Sequence, residues 1–176
     1  VTPVYSIPES QRLRRVEKKP ELTHDKELTI GYLGIINDQD GVDQLVRAAG
    51  HLAERFDEKK FQLVVVGDGP ALEDVKALAA ELGVENRVSF AGYQTGEELL
   101  AHLSSFDIGV IPDPLNDCND KCSMNKVFEY SGLSVPTVSF PLTETMRLLG
   151  EAGTYAEGTE PKDLADAIGS LLEDDA

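Results

Sequence analysis

Apolar residues in this chain fall into short, nearly continuous runs separated by longer stretches in which they recur every three or four positions. The runs cover Glu27 to Ile36, Phe61 to Val66, Arg87 to Ala91, Asp107 to Ile111 and Val135 to Phe140. Each is bounded by turn residues and rich in Val, Ile and Leu, which predicts a strand buried on both faces. Between them the spacing predicts helices from about Val42 to Phe56, with Leu45, Val46, Ala49 and Leu52 on the apolar face, from Ala71 to Leu82 with Gly83 as C-cap, and from Glu97 to Leu103. A helix from Met124 to Ser131 precedes the fifth run; Glu144 to Leu149, a short extended segment Thr154 to Ala156 and a helix over Pro161 to Leu172 follow it. Such alternation implies an α/β domain with a doubly wound parallel sheet covered by helices on both faces.

Ligands of such sheets sit beyond the carboxyl ends of the strands, where the strand order reverses. That rule gathers five loops around one candidate site: Gly34 to Gly41, Gly67 to Pro70, Gly92-Tyr93, Asp113 to Cys122 and Phe140 to Glu144. The fourth is rich in Asp and Asn and gives way at Ser123 to good helix formers. Ser123 therefore reads as an N-cap, and the amides around Ser123, Met124 and Asn125 as unpaired donors at the positive end of a helix. Such a start suits a phosphate, and Lys126 in its first turn is expected to add a mobile full charge. Asn125 and Glu129 are four apart on one face, which sets a carboxylate about 6 Å beyond the phosphate seat, within reach of a vicinal diol. The competing reading makes Lys126 a solvated cation and Glu129 surface charge, since every helix has an N-terminus.

Other candidates carry less. Gly67-Asp68-Gly69-Pro70 follows a strand as a dinucleotide fingerprint would, but Leu72 takes the third glycine position and the next strand ends without the acidic residue that holds a ribose. That argues against NAD and leaves Gly67 and Gly69 as either a tight turn or a ligand-facing loop. Cys118 and Cys122 have no second pair of Cys or His ligands in view, so no metal is expected and both read as loop thiols. His102, late in its helix, is expected in solvent or beside the helix end.

The chain has 176 residues, 41% of them apolar, enough for one domain with a core. Its 16 Lys and Arg against 32 Asp and Glu give a charge of -16 spread along the sequence, which argues against nucleic acid or an anionic membrane surface as partner. No apolar run approaches a membrane span, so no direct membrane insertion is expected. Two cysteines make no disulfide framework and no Asn-x-Ser/Thr acceptor is present, which fits a reducing cytoplasm. Residues 1–27, with Pro3, Pro8, Pro20 and the mixed charges of Arg12 to Lys19, read as a connector or hinge, and a start at Val1 without an initiator Met leads us to expect an excised domain over 28–176.

Four blocks, in this order and at these spacings, carry a resemblance: Leu63 to Pro70, Val88 to Tyr93, Phe106 to Pro112 and Asn125 to Val138. Together they resemble the C-terminal, donor-binding half of retaining GT-B glycosyltransferases of the family 4 group, over Leu28 to Leu172. The resemblance implies a Rossmann-like domain, a single GT-B half, that binds a UDP- or GDP-linked sugar and requires no metal or other cofactor. It implies an N-terminal half of the same chain, absent here, that binds a glycan or lipid-linked acceptor and could bring the enzyme to the inner face of a membrane. Ser123, Met124 and Asn125 fall where the family seats the diphosphate, Tyr93 where it borders the base, and Glu129 on the second glutamate of the paired motif that holds the ribose. Lys126 and Glu129 are the expected catalytic residues, and Gly34, Gly67 and Gly69 join the donor-binding set. The first glutamate of the pair would fall at Lys121, and the family's diphosphate-binding Arg and Lys at Ile35 and Asp40, so that Lys126 and Lys121 are expected to carry more of the charge. The implied chemistry is hexosyl transfer with retention of configuration, the isolated half turning over little; a binding or scaffold module that kept the fold without the chemistry is the alternative.

Overall fold

The computed structural model describes residues 13–22, 27–58 and 60–174. Six strands, β1 (Leu28–Leu33), β2 (Phe61–Val66), β3 (Val88–Gly92), β4 (Ile108–Ile111), β5 (Thr137–Ser139) and β6 (Gly153–Tyr155), alternate with six helices among the described residues. These are α1 (Val42–Ala53), α2 (Leu72–Glu81), α3 (Gly96–Ser105), α4 (Asn125–Gly132), α5 (Thr143–Leu149) and α6 (Pro161–Asp174). All neighbouring strands are parallel, in the order β3-β2-β1-β4-β5-β6. The fold is therefore the Rossmann-like doubly wound sheet expected from the alternation. Every residue of β2 is buried, as a strand covered on both faces requires. On α1 the predicted face Leu45, Val46, Ala49 and Leu52 is buried together with Val42 and Ala48. α1 lies beside α2 and α6, and α4 beside α5.

The order reverses between β1 and β4, which pair only at Ile30 with Ile108 and Gly31 with Gly109. Beyond those pairs the Leu33 N–H donates to the Tyr130 hydroxyl at 2.9 Å, and the buried Tyr130 ring lies over Gly109, where any Cβ would crowd it. One side chain of α4 thus floors the switch point. Three strands are shorter than expected, β4 by a single residue and β1 and β5 by more. β1 ends at Leu33, although the following loop still bonds its neighbour in the same register, Gly34 N–H to the Val66 carbonyl at 3.1 Å and Ile36 N–H to the Asp68 carbonyl at 3.0 Å. β5 begins late because Val135 still belongs to the exit of α4, its N–H donating to the Tyr130 carbonyl at 2.9 Å.

Of the segment read as a connector, residues 1–12 and 23–26 lie outside the described residues. Residues 13–22 contact the amino ends of β4 and β5 and reach the first turn of α3, where Arg14 and Lys19 pair with Glu97 and Glu98. Leu13 packs on the core, Arg15 donates to the Leu133 and Ser134 carbonyls at 2.6 and 3.0 Å, and the Val16 N–H donates to Ser104 Oγ at 3.0 Å. Lys18 and Lys19 pair with Asp107 and Glu98 at 2.5 and 2.9 Å. His102 on α3 is buried rather than solvated, and that burial holds its imidazole below the ordinary pKa. No helix among the described residues is long and apolar enough to cross a membrane.

Candidate functional site

The loops past β1, β2, β3 and β4 and the start of α4 enclose a cavity of about 820 Å³, against about 450 Å³ for a groove between α1 and α2. Its first wall is the pair of glycine loops. Gly67 sits at φ 143°, and a Cβ there would overlap the Gly34 carbonyl oxygen, so this wall is backbone laid on backbone. Tyr93, 76% exposed, and Ile35, 65% exposed, stand at the rim as apolar surface without cover. The fifth loop, Phe140 to Glu144, does not line the cavity but braces it from behind.

The second wall is the β4–α4 loop and the first turn of α4. Asn116 Oδ1 accepts the amides of Cys118 and Asn119 at 3.0 and 2.9 Å, folding the loop onto itself. Asp120 Oδ1 accepts the Thr143 N–H at 2.7 Å, capping α5. The N-cap of α4 is Met124, in extended conformation and without a side-chain cap bond. Ser123, expected in that role, instead donates its hydroxyl to Glu144 at 2.5 Å, and Glu144 also accepts two bonds from Arg147 at 2.7 and 2.8 Å. Arg147 first and Ser123 second pull the Glu144 carboxyl down to about 2. Because no side chain caps the helix, the amides of Ser123, Met124, Asn125 and Lys126 donate to no described residue, and all four residues border the cavity. Glu129 borders it one turn later and accepts no hydrogen bond from any described residue. Burial raises the Glu129 carboxyl above its ordinary range, opposed by Lys126.

Lys126 departs from its expected role. Its side chain is 9% exposed and donates to Asp113 Oδ2 at 2.6 Å, with Asp113 5% exposed and the Tyr32 ring 4.8 Å from the ammonium. It is a buried, paired cation rather than a mobile one. The reason is periodicity: Lys126, Val127, Tyr130 and Leu133 form the buried row of α4, while Asn125 and Glu129 form the row that faces the cavity.

A family profile described as "Glycosyl transferases group 1" matches residues 27–174. The chain belongs to the group 1 glycosyl transferases. Its sequence is 34% identical over 139 residues to a GDP-mannose-dependent alpha-(1-6)-phosphatidylinositol monomannoside mannosyltransferase of Mycolicibacterium smegmatis, covering 76% of this chain and 36% of that protein. It is 30% identical over 158 residues to a D-inositol 3-phosphate glycosyltransferase of Corynebacterium jeikeium, covering 83% of this chain and 35% of that one. The chain thus spans about a third of the length of the curated relatives it matches. Among solved structures it superposes on the C-terminal domain of the group 1 glycosyl transferase LpcC of Francisella tularensis with a TM-score of 0.73 at 17% identity, over 96% of this chain and 89% of that one. On HepE of Anabaena in complex with UDP the TM-score is 0.66 at 18% identity, over 86% of this chain and 40% of that one. These likenesses show the fold, a single GT-B half.

In this group 1 domain the cavity brings together Gly34, Gly67, Tyr93, Ser123, Met124, Asn125, Lys126 and Glu129. Gly69 does not line the cavity, and a Cβ there would meet the Ile36 carbonyl, so close packing accounts for this glycine. Lys121 is exposed and does not line the cavity. Sequence reasoning missed Asp113 and Tyr32. The signal for Asp113 was an acid directly after the buried strand ending Ile111-Pro112, on the carboxyl edge where a buried charge needs a partner. Nothing in the sequence pointed to Tyr32, whose hydroxyl donates to the Ile35 carbonyl at 2.7 Å beneath the cavity.

Proposed function

We propose that this domain is the donor-binding half of a retaining glycosyltransferase of the family 4 group, part of a longer chain whose N-terminal half binds a glycan or lipid-linked acceptor. The reading is carried by one observation: a row of undonated amides from Ser123 to Lys126 and a carboxylate without a hydrogen-bond partner, Glu129, border the same cavity one helical turn apart. The amides and the positive end of α4 suit the diphosphate, Glu129 the ribose diol, and the exposed Tyr93 a base. Support comes from the solved HepE complexes with UDP and with UDP-glucose, and from the GDP-mannose dependence of the mannosyltransferase relatives. Transfer of a hexosyl group would draw on preorganised N–H donors to stabilise the departing diphosphate, without a metal, in a cleft closed by the other half. Work on cytoplasmic nucleotide sugars is part of this reading, with any membrane contact made by the other half.

The alternative, a binding module without chemistry, is favoured by the lining itself. Four carboxylates, Asp40, Asp68, Asp113 and Glu129, face the cavity against the single ammonium of Lys126, and Ile35 and Asp40 stand where the family places cations. Calorimetry with UDP, GDP and their sugars separates the two. Binding of one base, weakened about tenfold or more by Glu129→Ala, is the expected result; a Glu129→Ala variant that binds as well as the parent removes the ribose role, and silence toward all four ligands favours the alternative.

A further inference from the structure

The cavity's ammonium is already engaged. Lys126 and Asp113 are both more than nine-tenths buried and lie 2.6 Å apart, with the Tyr32 ring closing the other side. A sugar nucleotide would bring a doubly charged diphosphate diester to the amides immediately beside this pair, and the amides carry only partial charge. The full positive charge within the lining is the one that Asp113 holds.

We propose that Asp113 is a proton-accepting positioning residue: as a diphosphate draws the Lys126 ammonium toward itself, the Asp113 carboxylate left in the buried corner takes up a proton from solvent, so that donor binding and proton uptake are one event. This rests on the donor reading above. An uncompensated carboxylate in such a corner is costly, and neutralisation is the ordinary escape. The groups facing Asp113 favour it as the site of uptake. From α4 come Lys126, Glu129 and Tyr130; from β1 and its loop come Tyr32 and Asp40; Cys122 stands just before α4. Burial pushes both tyrosines and Cys122 up, so they stay neutral, and Asp40 and Glu129 are only part-buried while Asp113 is 3% exposed. Burial raises the Asp113 carboxyl and Lys126 is the chief opposing influence, so moving the ammonium away leaves the upward push alone. The sign follows. With one proton taken up on binding, affinity falls as pH rises between the carboxyl's pKa in the free and in the liganded protein, by up to about tenfold per pH unit.

The test is calorimetric titration of UDP-glucose and GDP-mannose, whose diphosphate diesters are fully ionised and do not titrate near neutral pH, in MES, PIPES and imidazole buffers. The apparent enthalpy is expected to change linearly with buffer ionisation enthalpy, with a slope corresponding to uptake of up to one proton. Affinity is expected to fall severalfold between about pH 6 and pH 8. Asp113→Asn should abolish the slope and flatten the pH dependence, Asp113→Glu should restore both, and Asp40→Asn should leave them in place. Binding with zero slope in the parent chain overturns this inference alone and needs no folded variant. A slope unchanged in Asp113→Asn also overturns it. Absence of binding by either sugar nucleotide overturns the donor reading and this inference with it.

Discussion

On the β1 and β2 side of the cavity, backbone packs on backbone; on the β4 and α4 side, side chains hold the chain in place. The first wall is joined by amide-to-carbonyl bonds, Gly34 to Val66, Ile36 to Asp68 and Ala71 to Ile36, with Gly67 pressed against the Gly34 carbonyl. The second depends on Asn116 bonding its own loop, Asp120 reaching α5, Ser123 reaching Glu144 and Lys126 reaching Asp113. The bonds that join the first wall are amide to carbonyl and do not titrate, although its loops also carry Asp40 and Asp68 to the cavity. A wall of carboxylates, an ammonium and hydroxyls changes its bonding when charge arrives. The arrangement therefore gives a rigid side to shape the site and a responsive side next to the amides that suit an anion.

Breaking the rigid side should have the largest effect on stability. Gly67→Ala places a Cβ on the Gly34 carbonyl at a positive φ, which only displacement of one glycine loop can relieve. The expected loss is on the order of 4 kcal/mol in urea or thermal unfolding, in the class of strain at a special backbone conformation. A loss below about 1 kcal/mol would mean that the loops are not seated on each other as described.

The same contrast explains what the sequence disclosed. Strand runs, helix faces and glycine turns follow from local periodicity and backbone freedom, so the sheet, the α1 face and the first wall were legible, as was the Asn125 and Glu129 row. The buried row of α4 was missed, because the charge on Lys126 suggested solvent and hid that it shares a face with Val127 and Tyr130. The partners Asp113 and Lys126, and Ser123 and Glu144, lie 13 and 21 residues apart and meet only because the parallel sheet brings their elements together. Such pairings have no local pattern, which is why Ser123 was read as a cap.

Breaking the responsive side at its buried pair should rank second. Lys126→Met leaves Asp113 buried without its cation, and the expected cost is about 3 kcal/mol at neutral pH. The sign of its pH dependence is fixed. A carboxyl whose folded pKa lies above its unfolded value destabilises the fold increasingly as pH rises through that interval, so the deficit relative to the parent should shrink toward acid pH. Adding Asp113→Leu to Lys126→Met should recover most of the stability while leaving sugar-nucleotide binding impaired. Recovery of both would make the pair a packing element only.

The smallest effect sharpens the comparison, because it concerns a bond at the back of the responsive wall. Ser123→Ala removes a donor from Glu144 but leaves Arg147, the stronger of the two influences on that carboxyl. Glu144 is depressed to about 2, below an unfolded value of about 4.3, so its contribution is fully present above the unfolded pKa and disappears as pH falls through the folded one. Removing Ser123 should raise the folded pKa and narrow that window from its acid side. Stability at neutral pH should then fall by only about 0.5 to 1 kcal/mol, the scale of one partly exposed hydrogen bond. A carbon-detected NMR titration of Glu144 measures the shift directly. If its pKa stays at the parent value in Ser123→Ala, the hydroxyl does not reach the carboxylate in solution, and the link from the α4 entry to α5 rests on Asp120 and Thr143 instead.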